Sequence, residues 1–408
     1  MVRYPLGPLA VYLANHSDHA RHVLQDNNRN YSKNTFQYNL LKSVTGEGLL
    51  TSDGDTWLRQ RRLSQPAFHR ERIAALSGQM AATTGELLER WQVYASSGQP
   101  VDVAAEMMRV ALAIVGRALF SIDLSSEAGN LVEAVLDVLD HIVWRARTFG
   151  MVPGFLPTAR NLRFRAALRT LDQAVYALIE ERRCGAAAKA DLLSMLVAAQ
   201  DPETGTGMSE RQLRDEVITL LVAGHETVAS ALAWTWYLLS QNPQAEAKLQ
   251  AEVDALGGRA PTDPAQLAYA RMAFEEALRL YPPAWIITRR ALADDELGGY
   301  AIPAGALVVL SPYTAHRDPA FWQEPECYDP ERFSPERSAG RPCFAYFPFG
   351  GGPRLCIGNT FALLEAQVVL SQVVSRYRLE LMPGQSIEVE PGVTLRPKHG
   401  LQMAIKSR

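Results

Sequence analysis

The chain has 408 residues, 47% of them apolar and 21% charged, with a formal net charge of −3. That balance excludes a disordered chain, and the slight negative charge gives no general attraction to nucleic acid. Four cysteines, Cys184, Cys327, Cys343 and Cys356, are too few and too irregularly spaced for a disulfide framework, which points to a reducing cytoplasm.

The opening residues carry no basic stretch followed by a long apolar run, so no signal peptide is expected. Residues 7–15 read as a strand and 17–26 as a helix. The region 27–52 is mixed, with Gly46, Gly48 and, just beyond it, Gly54 as breakers. Helical periodicity follows at 55–66, 70–96, 103–120, 128–147 and 162–183, with small-residue loops at 185–190 and 201–207. His16, His19 and His22 recur every third residue. Their 300° steps spread the outer pair around the helix, so they read as solvated rather than as metal ligands.

Ser209 and Gln212 then make the S-x-x-Q pattern of a capping box, and apolar residues continue to Leu239 until Pro243. Roughly thirty residues at about 1.5 Å each give a rod of about 45 Å. Its 217–240 stretch is long enough to span a bilayer. The centre carries His225, Glu226 and Thr227, costly in lipid, so a core helix is expected and no integral membrane span. A helix at 264–280 is stopped by Pro282 and Pro283. Short strands and turns follow, with one more helix at 357–377 and a hairpin near 393–405. The fold class is mainly α with a minor β region. With no linker and no repeat, 1–408 reads as a single large domain.

Residues 349–358 read FGGGPRLCIG. Three glycines and a proline continue neither helix nor strand, so Cys356 sits on an irregular loop. A cysteine at the start of the following helix meets the positive end of its dipole, which favours thiolate. Thiolate is a good axial ligand for haem iron. Gly352 and Gly358 would let backbone approach a flat macrocycle, Phe349 could pack beside the sulfur, and Arg354 could pair with a propionate. A buried structural cysteine beside a glycine turn is the plainer alternative. The pattern F-x-x-G-x-R-x-C-x-G has a chance probability on the order of one in ten thousand in a chain this long, which decides against it.

With this loop, AGHET at 223–227, EALR at 276–279, PERF at 330–333 and WLRQR at 57–61, the sequence resembles the cytochrome P-450 family of haem-thiolate monooxygenases over nearly its whole length. The resemblance implies that family's fold, with a long central helix over haem b and Cys356 as the iron ligand. On that helix, positions 216, 220, 223, 227 and 231 share one face, so the small Ala223 and Gly224 and the hydroxyl of Thr227 look the same way. The resemblance implies that Thr227 and Glu226 move protons to bound oxygen. Glu276 and Arg279 would be a structural pair joined to Arg332. Trp57, Arg61, Arg289 and Arg354 would hold the propionates, with Arg290 as a competitor for Arg289.

The family's cavity segments correspond here to 35–41, 144–152, 220–227, 285–288 and 397–400, with Phe36, Trp144, Phe149, Leu220, Trp285 and Ile286 prominent. Such surface favours a large hydrophobic substrate. TFQYNLL, TGEGLLTS, LLVAGHETVASALAW and EALRLYPPAW resemble the bacterial carotenoid hydroxylase branch, implying hydroxylation of a carotenoid or similar terpenoid. A fatty acid hydroxylase, with Arg145 or Arg147 as a carboxylate clamp, is the alternative. A peroxygenase would usually lack the acid–threonine pair, and a non-catalytic haem sensor would turn nothing over. Family members carry a helix ahead of the first strand that walls the substrate entrance, and this chain opens almost at the strand. Electrons are expected from a ferredoxin-type donor with its reductase, steered to exposed arginines at 59, 62, 70 and 72.

Overall fold

The capping box forms. In the computed structural model, Ser209 N–H donates to Gln212 Oε1 at 2.9 Å and Gln212 N–H to Ser209 Oγ at 3.3 Å, satisfying two donors that a helix start leaves open. The helix runs Glu210–Gln241, and Pro243 opens the next one, Pro243–Ala255. The structure describes residues 1–6, 9–122, 129–148, 150–185, 191–257 and 264–408. Among them, Glu210–Gln241 is the one helix long and apolar enough to cross a membrane, and 83% of its apolar window is buried within the protein. From Leu213 to Trp236 every residue is buried except Ala223, Gly224 and Thr227.

The molecule is mainly helical with small sheets. Its contacts divide it into two units, one of Ser32–His69 and Leu112–His225, the other of Met1–Tyr31, Arg70–Ala111 and Glu226–Arg408. In the first unit, Gly129–Arg147 packs on Ala159–Arg183, and Phe36–Thr45 packs on Gly129–Arg147. The segment after Phe36–Thr45 is held by the start of the long helix. Glu47 N–H donates to Asp215 Oδ2 at 2.9 Å and Leu49 N–H to Glu216 Oε2 at 3.1 Å. Gly48 has to be glycine, since a Cβ there would lie 2.0 Å from Thr219 Oγ1.

The second unit carries a five-stranded sheet. Val2–Leu6 pairs antiparallel with Leu9–Leu13, which runs parallel to Leu307–Leu310, and that strand is antiparallel to Ile287–Ala291. Tyr12, Leu24, Val308 and Leu310 on and beside the sheet share a core with Phe344 and Phe347. The sheet is thereby tied to the chain that leads into the cysteine loop.

Four sequence expectations change. The helix expected at 70–96 is two, Arg70–Ala75 and Ser77–Ser97, and the mixed stretch contains the helix Phe36–Thr45. His22 is not solvated. It sits 2.8 Å from Asp295 Oδ2, an oxygen that also accepts from Tyr31 and Asn27. The hairpin near 393–405 does not form, because Asp102 captures its turn through Leu401 N–H at 2.9 Å. Leu395–Pro397 pairs instead with Val389–Pro391, and Gln402–Ser407 with Tyr377–Leu381 and Val101–Asp102.

Glu276 and Arg279, on the helix Ala268–Leu280, are both 0% exposed. A buried guanidinium needs an acceptor for each N–H. Arg279 finds five. Its Nε and Nη2 grip Glu276 at 2.7 and 2.8 Å, Nη1 donates to the carbonyls of His316 (3.0 Å) and Pro325 (2.6 Å), and Nη2 to that of Cys327 (3.0 Å). Glu276 Oε1 also accepts Asp329 N–H at 3.0 Å and lies 3.3 Å from Arg332 Nε. The guanidinium stands over Trp322, whose indole N–H reaches Ala345 O at 3.3 Å. Lysine can offer three N–H groups from one point and cannot span this set. Arg279→Lys is expected to lower unfolding stability by about 3–5 kcal/mol, measured by urea denaturation. A variant within 1 kcal/mol of the parent would contradict this account.

Candidate functional site

The cysteine loop is fixed from both sides. Phe344 and Phe347 are buried in the sheet core, and Phe347 N–H donates to His316 Nε2 at 2.9 Å. Gly350 N–H bonds Phe347 O, Leu355 N–H bonds Gly352 O, and Cys356 N–H bonds Phe349 O at 3.0 Å. This tight turn leaves Cys356 exposed beside Leu355, with Phe349, Arg354 and Gly358 half-buried. The helix expected from 357 is Asn359–Arg376, with Gly358 as its cap residue. A Cβ on Gly358 would stand 4.0 Å from Sγ, at ordinary van der Waals contact. Gly352 is a correction. Its φ is +63°, and its missing Cβ makes room for Leu24 O, which would be 2.0 Å away, rather than for a ring. An open cleft of about 640 Å³ beside the loop is lined by Gln25, Phe344, Phe349, Pro353 and Leu355, and not by Cys356.

Sequence reasoning missed His316. It is fully buried, and burial, reinforced by Arg279, lowers its pKa to about 3. Only the neutral ring can accept from Phe347 at Nε2. One residue thus joins the Arg279 network, through its main-chain carbonyl, to the cysteine loop, through its ring.

In the same unit the strand Ile287–Ala291 buries Arg289 and leaves Arg290 as its one exposed residue, which favours Arg289 as the inward cation. Trp285 and Ile286 are half-buried, and the Trp285 indole N–H donates to Gly392 O at 3.1 Å. Glu226 is buried and its Oε1 accepts from Thr394 Oγ1 at 3.0 Å. Ser230 and Trp234, one and two turns on, both donate to Leu395 O. The face through Glu226 therefore packs on residues 394–395, whereas Thr227, about 100° around the helix, stays partly open. Burial raises the Glu226 pKa, against the opposing pull of Thr394 and Arg396.

The other unit supplies Ala223, Gly224 and Leu220 on the same long helix. Leu220 is buried and the two small residues are half-open, with Gly224 close against Val115. Trp57 is buried and Arg61 half-buried on the helix Gly54–Ser64. That helix is braced by Gln60, which accepts from Ser52 and donates to Glu47 O, each at 2.6 Å. Phe36 is exposed and Trp144 half-buried, while Phe149 lies outside the described residues. Arg59 and Arg62 do not stand free for a donor. Both hold Asp201, which is 0% exposed, Arg62 also pairs with Glu203, and Arg59 donates to Gly207 O at 2.6 Å. The loop 201–207 needs those cations for its buried carboxylate.

The donor set fits haem b. Among the described residues no group of three His, Cys, Asp or Glu could hold a bare metal ion. A single thiolate donor suits a metal that brings its own planar ligands. Within the cysteine-bearing unit Arg289 and Arg354 are cations of the kind that would hold a propionate; within the other unit Trp57 and Arg61 are donors of the same kind, and Ala223 and Gly224 offer the small-residue surface that a flat ring needs.

Comparison with known proteins agrees. Residues 1–403 match the family model described as Cytochrome P450. The chain is 41% identical to Cyclooctatin synthase of Streptomyces melanosporofaciens, over 97% of this chain and 86% of that protein. It is 35% identical to Pentalenene oxygenase of Streptomyces avermitilis, over 97% and 86%. Identity is 32% with Protein LUTEIN DEFICIENT 5 of Arabidopsis thaliana, over 100% and 72%. The solved heme domain of cytochrome P450DA superposes with a TM-score of 0.90 at 28% identity, covering 100% of this chain and 90% of that one.

His316 also sets a pH dependence. Its folded pKa lies below the ordinary value of 6.5, so its stabilising contribution is full above about pH 6.5 and falls as pH drops toward 3. His316→Gln keeps an acceptor without the titration. The stability difference between parent and variant is expected to narrow on acidification from pH 7 to 4, read from urea midpoints. A constant difference would contradict it.

Proposed function

The chain belongs to the cytochrome P450 family and is a haem-binding monooxygenase; on that premise we propose that it hydroxylates a terpenoid, with a carotenoid as the elongated form of that class. The observation that carries the reading is the opening in the long helix. Over two dozen positions, only Ala223, Gly224 and Thr227 are not buried, so small apolar surface and one hydroxyl are offered together. When bound, haem supplies the activation of dioxygen with two electrons from a redox partner.

The protein's own residues do the rest in this proposal. Cys356 Sγ would hold the haem iron. Thr227 Oγ1 holds a proton at the oxygen-facing surface, and Glu226, its carboxyl kept protonated more readily by burial, resupplies it after leaving Thr394. Phe36, Trp144, Leu220, Trp285 and Ile286 exclude water and orient an apolar substrate. The relatives named for cyclooctatin, cyclooctat-9-en-7-ol, pentalenene and lutein support an isoprenoid. A ferredoxin-type donor with its reductase is proposed as the electron source, docking elsewhere than on Arg59 and Arg62.

One observation favours a fatty acid as the second reading. The half-buried Arg145 pairs with no carboxylate among the described residues. A spectral-shift titration of the haem protein with cyclic terpenes, carotenoids and long-chain fatty acids separates the two. Shifts confined to fatty acids, and lost in Arg145→Gln, would overturn the terpenoid reading.

Cys356→His is expected to abolish the thiolate-type Soret band of the reduced carbon monoxide complex, and a retained band would remove Cys356 from its role. Thr227→Ala is expected to keep haem but lower product per reducing equivalent about tenfold or more, the remainder appearing as hydrogen peroxide. Thr394→Val removes a bond that lowers the Glu226 pKa. The alkaline limb of the coupling profile, where the carboxyl loses its proton, should move to higher pH, and an unmoved limb would exclude Glu226 from proton supply.

A further inference from the structure

The helix Gly54–Ser64 carries two pairs of side chains on opposite sides. At about 100° per residue, Trp57 and Arg61 stand about 40° apart, Arg59 and Arg62 about 60° apart, and roughly 150° separates the two pairs. Trp57 and Arg61 are the donors assigned above to haem. Arg59 and Arg62 are engaged elsewhere, their side chains only 20% and 27% exposed. A short helix turns as one body, so whatever grips Arg59 and Arg62 also sets the direction of Trp57 and Arg61.

The grip is the loop 201–207. Asp201 is 0% exposed, and its two oxygens accept from Arg62 Nη2 at 3.2 and 3.1 Å, with Arg59 Nε 3.4 Å from Oδ2. Arg59 Nη2 also donates to Thr206 O and Oγ1, each at 3.1 Å, and to Gly207 O at 2.6 Å. Its Nη1 reaches Gln212 Oε1 at 3.4 Å, in the capping box that opens the long helix. The loop closes with its own backbone, Asp201 N–H bonding Thr206 O at 3.0 Å and Gly205 N–H bonding Asp201 O at 2.8 Å. Closing it therefore needs no buried charge. A carboxylate buried in full against two guanidiniums of another helix is costly unless each is met, and it specifies one relative placement. All of these groups lie within one unit.

We propose that Asp201 is a positioning residue for haem. Through Arg59 and Arg62 it fixes the rotation of the helix Gly54–Ser64, and so the angle at which Trp57 and Arg61 are presented to a propionate. The proposal rests on the assignment of Trp57 and Arg61 to haem, and it holds whichever apolar molecule is oxidised. It also gives the loss of the carboxylate a direction. In Asp201→Asn the two guanidiniums, three residues apart on the helix, repel without a counter-charge between them. The helix is then released to turn, and haem is held less tightly.

The rate at which the haem-loaded full chain gives up haem to excess apomyoglobin, read by absorbance, tests it. Asp201→Asn is expected to lose haem about tenfold faster than the parent, and so is Trp57→Phe combined with Arg61→Gln. Added to that Trp57 and Arg61 background, Asp201→Asn should speed loss by less than about twofold, because its effect runs through those residues. Added to Arg289→Gln, in the other unit, it should keep its full factor. Glu203→Gln, at a partner of Arg62 that is 66% exposed, should leave the rate unchanged. If Asp201→Asn does not fold, Arg62→Lys keeps the charge but not the planar fork, and it is expected to show about a threefold effect through the same cycle. Parental haem retention in the Asp201 variant, or a full tenfold effect persisting in the Trp57 and Arg61 background, would overturn the proposal. Parental retention in the Trp57 and Arg61 variant alone would instead remove the haem assignment of those two residues, and the proposal with it.

Discussion

Burying a guanidinium in full requires the chain to deliver an acceptor to every N–H, and much of the cysteine-bearing unit is the delivery. Arg279 has Glu276 one turn before it, but its other acceptors are carbonyls at His316, Pro325 and Cys327. Those carbonyls must converge, so the irregular chain from 311 to 347 has one arrangement rather than many. Trp322 and Arg332 are fixed as it folds round the charge. From Arg279 to the sulfur loop there are then only two hydrogen bonds, one to the His316 carbonyl and one from Phe347 N–H to the His316 ring. A buried ion pair is weak evidence for stability by itself, and its use here is to specify a unique path.

The long helix imposes a complementary requirement. A helix apolar on every side is stable only when covered on every side, and this one is covered except where its side chains shrink to Ala223 and Gly224 and at Thr227. The opening is made by small residues and not by a kink. Its neighbour Glu226 is turned onto Thr394. Acid and hydroxyl are adjacent in sequence but separated around the helix, so in the proposed proton supply the two would meet only after the Glu226 side chain rotates away from Thr394.

Features written in local chemistry were legible in the sequence. The capping box at Ser209 and Gln212, the length of the helix it opens and the irregular glycine turn that carries Cys356 all follow from spacing within a few residues. Features that depend on distant partners were not. Nothing near His316 announces that its ring accepts from Phe347, and nothing near Arg59 or Arg62 reveals that Asp201 uses both. The expected hairpin near 393–405 was displaced because Asp102, three hundred residues away, holds its turn. The helix Phe36–Thr45 was hidden by the glycines that follow it, which serve to bring the next segment against Asp215 and Thr219.

Gly352 carries a consequence for how such a gene can change. Its left-handed backbone and the Leu24 carbonyl where a Cβ would stand leave one residue in twenty that fits. Every missense change reachable from a glycine codon by one base yields a residue with a Cβ, whether alanine, valine, serine, cysteine, arginine, tryptophan, aspartate or glutamate. No single-base missense change at this codon is conservative. A side chain here could be fitted only together with a displacement of the turn around Leu24, encoded more than three hundred codons upstream.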